Sequence, residues 1–226
     1  IDPIIVQEFN PDYFGNGLST LRFFRLLYKF NYDFRDNRAY PWSGQRWGGE
    51  LIKDGIGIFD ERSSLTLGGS ASKYCPVGQR WSFSLGGGGK YSFIRQPQAY
   101  RYNRALGFGN NRVTGFELYV LDGLDASYFR KNVRFRLWEG DITFGKWVFI
   151  EAFRQFPFHF NFSLSSDLGY VNSPFNTRPN PLNNTLLWGG GVGIDLVFYY
   201  DFVLRVQYNG NHLGDRGIFL DFEIGI

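Results

Sequence analysis

The chain has 226 residues, 20% of them aromatic, with 29 glycines, no methionine and a formal charge of +3. So mild a charge, without a run of Lys and Arg, gives no footing for nucleic acid, and the single cysteine, Cys75, cannot close a disulfide within the chain. No stretch approaches the roughly 18 consecutive apolar residues of a spanning helix, and a composition favouring Phe, Tyr, Val, Ser, Asn and Gly points to an all-β chain.

Residues 1–19 read as an N-terminal peptide and 20–226 as one β domain, with any export signal expected outside the sequence. The first predicted strand, 20–35, sets Phe24, Leu26, Tyr28, Phe30, Tyr32 and Phe34 on one side and Arg25, Lys29, Asn31, Asp33 and Arg35 on the other. Further strands are predicted at 44–58, 62–75 and 79–94, followed by a long connection, 95–125, in which glycines alternate with aromatics and arginines. A strand at 126–139 precedes the cleanest alternation, 156–171: Phe156, Phe158, Phe160, Phe162 and Leu164 against His159, Asn161, Ser163, Ser165 and Asp167. The Asn- and Pro-rich stretch 172–184 reads as an ordinary surface loop. Strands at 185–198, 200–212 and 216–226 complete nine candidates, the last with Ile218, Leu220, Phe222, Ile224 and Ile226 opposite Asp221, Glu223 and Gly225.

A soluble barrel or sandwich also alternates, because its apolar face packs inside. Here the polar face carries charges (Arg25, Lys29, Arg35, Lys90, Arg134, Arg136, Arg205, Asp221, Glu223) mixed with small residues such as Gly86, Gly88, Ser163 and Ser165. That fits a polar lumen inside an apolar outer band, and strands of about 10 residues are the length that crosses a bilayer when tilted. An antiparallel transmembrane β-barrel of the bacterial outer membrane, in contact with its lipid, is therefore expected. Tyr40, Trp42, Trp47, Trp138, Trp147, Tyr170, Tyr199 and Tyr200 are expected in its aromatic girdles.

The long connection holds Arg112, Val113, Thr114, Gly115 and Phe116, followed by Glu117-Leu118-Tyr119 and Asp122-Gly123. This resembles the sixth-loop tip of the BamA-type outer-membrane assembly and translocation superfamily, also called bacterial surface antigens. Tyr32-Asp33-Phe34-Arg35-Asp36 with Tyr40-Pro41 and Gly44 looks like a hairpin of that family, and Ser166-Asp167-Leu168-Gly169 like its Asp-x-Gly strand motif. Gly191–Leu196 and Phe219–Phe222 resemble its last strands. The resemblance implies a barrel of about sixteen strands, the long loop folded into the lumen and a loop-tip arginine on the acidic residue of the wall motif, here Asp167. Thr114 stands at that arginine position, which puts the ion pair in doubt; Arg112, two residues earlier, is the alternative partner for Asp167.

An open sheet edge cannot face lipid. A small barrel of eight strands would close it, but an interior filled by side chains would struggle to admit the 95–125 loop; two chains sharing one sixteen-stranded barrel would also close it, with strands running antiparallel at each seam only if each copy gives an even number. Eight strands per chain is accordingly expected, with one of the nine candidates outside the wall, or else Ile1–Val6 or a hidden pair in 139–155 added to it.

Neither His159 nor His212 has a second His or a Cys at ligand spacing, so no metal site is expected, and a lumen or interface role suits both. Gly86-Gly87-Gly88-Gly89-Lys90 lacks the phosphate-loop pattern and is expected to seat the long loop against the wall. Asp221 and Glu223 are expected to partner Arg134, Arg136 or Arg205 across the lumen. No enzyme and no cofactor is expected. The resemblance implies a barrel that inserts, assembles or translocates proteins, with client outer-membrane proteins as partners; a diffusion channel for small solutes is the alternative.

Overall fold

The computed structural model describes residues 20–59, 61–109, 111–143, 155–175, 180–199 and 202–225, with 8, 13, 14 and 18 besides. It is all-β. Nine strands form one antiparallel sheet: β1 (Arg25–Asp33), β2 (Gly44–Asp54), β3 (Ser64–Val77), β4 (Trp81–Ser92), β7 (Asp125–Thr143), β8 (Gln155–Asn172), β9 (Leu186–Phe198), β10 (Phe202–Asn211) and β11 (Arg216–Ile224). Each pairs with its neighbour in the chain, and two short strands, β5 (Arg104–Leu106) and β6 (Leu121–Asp122), pair inside the long loop.

Because paired residues share a face, the register assigns every side chain to one of two surfaces. One row runs Asn209, Gly191, Ser165 and Asn132; beyond the next, Gln207, Gly193, Ser163 and Arg134, run Asp221, Arg205, Asp195 and Asn161. The opposite surface carries Leu220, Val206, Ile194 and Phe162 in one row. The polar face is the buried one: Asp195 is 0% exposed and Asn161 1%, whereas Leu220 is 68% and Ile218 75%. Left in water, each such side chain would forfeit about 1.5–3 kcal/mol of burial. Both apolar clusters lie on the polar face, under loops.

That face is concave. Tyr40, in the link between β1 and β2, donates its hydroxyl to Asp195 of β9, five strand steps away, or about 24 Å along a flat sheet. Only a curled sheet lets a ten-residue link make that contact.

Among the described residues all nine candidate strands lie in the one sheet, where eight per chain were expected. Being nine and antiparallel, it has edge strands, β1 and β11, that run in the same direction. β7 continues to Thr143 past an irregularity between Arg136 and Trp138. Ile1–Val6 and residues 144–154, including Trp147, lie outside the described residues, as do Tyr200 and most of the N-terminal peptide.

Candidate functional site

The link between β4 and β7, residues 93–124, lies on the polar face and supplies most of the larger buried cluster. Ala105, Leu106, Val113, Phe116 and Leu121 of the loop pack with Val171 and Leu187 of the wall. Two wall glycines make the room. A side chain at Gly169 would meet Val113 at 2.7 Å and Leu106 at 2.9 Å, and one at Gly189 would strike the Thr114 carbonyl. Gly115 turns the tip with φ +84, and a β-carbon there would collide with the Gly210 carbonyl. The loop is thus seated on β8 and β9, not on the Gly86–Gly89 run expected to hold it; the space above Gly88 is taken by Tyr128 of the adjacent strand. Lys90 does reach the loop, donating to the Arg104 carbonyl.

At the tip, the Thr114 amide and hydroxyl both donate to Asp167 Oδ2, at 2.9 and 2.7 Å. The cation near this carboxylate is Arg130, its register partner on β7, with Nε 3.9 Å away. Arg130 also donates to the Arg112 carbonyl. Arg112 does not take the role expected of it, because Val113–Phe116 is a turn closed by the Phe116 amide on the Val113 carbonyl, and stepping back two residues in a turn does not preserve a side. Glu117 accepts from the Gly115 amide and from Asn209 Nδ2 at 2.6 Å, and Asn211 Nδ2 donates to the Gly115 carbonyl at 2.7 Å. Phe116 faces His212, which sits in the turn after β10 and stacks on Trp188. Nor is 172–184 a bare surface loop: Leu182 joins the buried cluster and Asn183 donates to the Asp122 carbonyl.

A second plug enters from the opposite end. In the β1–β2 link, Asp36 Oδ1 accepts the Asn37 and Trp42 amides and Asn37 Oδ1 accepts the Tyr40 amide, which folds the link inward. Tyr40 Oη then lies 2.7 Å from Asp195 Oδ2, while Oδ1 accepts from Arg205 Nε at 3.0 Å and Ser163 Oγ at 3.2 Å. Arg134 donates to the Pro41 carbonyl at 2.6 Å with its guanidinium 4.2 Å from the Tyr40 ring. Ser82 donates to the Trp42 carbonyl, and Arg136 lies over the Trp42 ring. Tyr40 and Trp42 therefore lie against the polar face of the sheet and not in the girdle expected of them. Trp47, Trp138 and Tyr170 are exposed on the apolar face.

Asp221 and Glu223 share the polar face but make no ion pair with Arg134, Arg136 or Arg205. Arg205 pairs with Asp195, Arg136 with Glu139, and Arg134 with the hairpin backbone. His159 is beside Glu139, on the polar face. Among the described residues no cluster of His, Cys, Asp and Glu is arranged to hold a metal.

Between the two plugs lies a cavity of about 480 Å³, lined by Arg35 and Arg38 of the hairpin, Arg112 and Thr114 of the loop, and Arg130, Asp167, Asp221 and Glu223 of the wall. On the far side of the loop a second cavity of about 410 Å³ is bounded by Asp54, held between Arg25 and Arg62, and by Tyr102 and Lys90. The site is an obstructed polar trough, closed at both ends by the chain's own segments. Comparison with family models, with curated proteins and with solved structures finds no match.

Proposed function

We propose that the chain forms the wall of an outer-membrane β-barrel of the BamA type, plugged by its own loop, that takes part in inserting, assembling or translocating proteins at that membrane. The observation that carries this reading is the inversion of the sheet. Its charged face lies under the 93–124 loop, with Thr114 on Asp167, while a band of Phe, Leu, Ile and Val stays bare on the other side. A bilayer covers such a band without a protein partner.

Closure of the barrel needs more strands than this sheet provides. Lipid would leave the edge N–H and C=O groups of β1 and β11 unsatisfied, at several kcal/mol each. Since the two edges run the same way, all-antiparallel closure takes an odd number of further strands. Two nine-stranded copies would meet in parallel, so a shared barrel requires one more strand from each. A seam that can open at β1 or β11 would offer a client strand the backbone pairing it seeks.

The test is reconstitution into liposomes, with insertion of an unfolded outer-membrane protein and ion conductance read on the same preparation. The expected result is faster client insertion with low conductance. Steady conductance without any effect on insertion would overturn the proposal in favour of a solute channel.

A further inference from the structure

Besides Lys53 near the β2–β3 link and Ser127 on β7, a polar row interrupts the apolar face. The register sets Gln45 of β2, Lys73 of β3, Leu85 of β4, Lys131 of β7 and Ser166 of β8 side by side on the bare surface, all of them exposed. The rows on either side are apolar or small: Cys75, Phe83, Val133 and Leu164 towards the β3–β4 turn, and Trp47, Ala71, Gly87 and Phe129 away from it. Lys73 and Lys131 are two strand spacings apart, about 9.6 Å, a gap that two lysine side chains can close over Leu85. Lys131 rests over the Phe129 ring, 5.8 Å from its centroid, and the described structure gives neither ammonium a carboxylate within ion-pair distance.

We infer that Lys73 and Lys131 bind the phosphate of an anionic glycerophospholipid against the outside of the wall. The inference rests on the membrane reading above, since only there does the apolar face meet lipid. The row lies four residues before the end of β3, about 10 Å below the turn once strand tilt is allowed for. Ammonium groups at that depth snorkel toward the headgroup level rather than stay in hydrocarbon. The end concerned carries the shorter set of links, 34–43, 78–80, 144–154 and 199–201, against 55–63, 93–124, 173–185 and 212–215 at the other, and shorter links mark the periplasmic side of such barrels, where glycerophospholipids form the leaflet. Two cations that can meet over Leu85 suit a headgroup of net negative charge better than a zwitterionic one, whose own ammonium would be repelled.

The experiment uses tryptophan quenching in vesicles doped with a brominated-chain lipid, either phosphatidylglycerol or phosphatidylcholine with the same chains. Trp47 and Trp81 lie near the row and report lipid bound there. The expected result is stronger quenching by phosphatidylglycerol, with the preference falling about fivefold per lysine in Lys73→Gln and Lys131→Gln and surviving in Lys73→Arg and Lys131→Arg. Equal quenching by both lipids in the unaltered protein would overturn the inference and leave the membrane reading standing. Loss of the preference on adding inorganic phosphate at matched ionic strength would assign the row to free phosphate, also against the inference. No quenching by either lipid would overturn the membrane reading itself.

Discussion

Thr114 holds Asp167 twice, through its backbone amide and through its hydroxyl, on a single carboxylate oxygen. The anion is buried at the foot of the loop, and its charge is met from the wall, by Arg130. The loop tip supplies direction and the sheet supplies the cation, so the loop contributes no charge of its own to the contact with Asp167.

Thr114→Val keeps the amide bond and removes the hydroxyl. Docking of the loop should weaken by about 1–2 kcal/mol, the cost of one hydrogen bond withdrawn from a buried carboxylate. Hydrogen exchange of the amides around residues 111–119 should speed up about tenfold for each 1.4 kcal/mol lost. Asp167→Ala should cost more, because it strips partners from Thr114 and Arg130 together.

Tyr40→Phe should release the hairpin without releasing the loop. It removes the hydroxyl on Asp195 but leaves Arg205 and Ser163 in place, so a loss of about 1–2 kcal/mol is expected. Limited proteolysis is the readout: cleavage within 34–43 should rise while cleavage within 93–124 stays unchanged.

Gly189→Ala should undock the loop tip through sterics alone. The added methyl would occupy the position of the Thr114 carbonyl, and backbone cannot move aside as a side-chain end can. A penalty of about 1–3 kcal/mol or more follows. Conductance of the reconstituted protein should rise from near silence to frequent openings.

The side of the loop is pinned at the β10–β11 turn, where Tyr119 donates to Asp215 at 2.6 Å. Hydrogen bonds from Tyr119 and then Asn211 hold the Asp215 carboxyl below the usual carboxylate range. For a depressed acid the stabilisation is complete above the unfolded pKa, about 3.9, and is lost as pH falls through the lower folded value. The same bond, followed by burial, raises the Tyr119 phenol, whose contribution is complete below its ordinary pKa and lost as pH climbs through the raised one. The tie should therefore hold across neutral pH and loosen at both extremes. Tyr119→Phe should flatten the acid limb, measured as exchange of the 117–121 amides against pH.

Much of the sheet was legible because a strand with one bare apolar face and one covered polar face prints its alternation on the sequence. Phe156 to Asp167 showed it most plainly, and β8 spans that stretch. The long loop was visible as a break in the alternation, and Asp167 and Gly169 were singled out where the loop tip lands. The Tyr40–Asp195 contact was not legible, because it joins residues 155 apart in the chain. An aromatic in a turn reads the same whether it points to a headgroup or into a lumen. Arg130 was passed over for a similar reason: its partner lies on the next strand, and only register makes them neighbours.

The measurement that bears most directly on the central claim is spin-label accessibility along β11 and β8 in lipid vesicles, on a Cys75→Ser background. Labels at Leu220, Phe222, Phe162 and Leu164 should be open to oxygen and closed to a water-soluble nickel reagent. Labels at Asp221, Ser163 and Ser165 should show the reverse or be shielded from both, giving a period of two in opposite phases. Outward positions that meet the nickel reagent while Ser163 and Ser165 meet oxygen, or an absence of alternation, would contradict the assignment of the bare face to lipid.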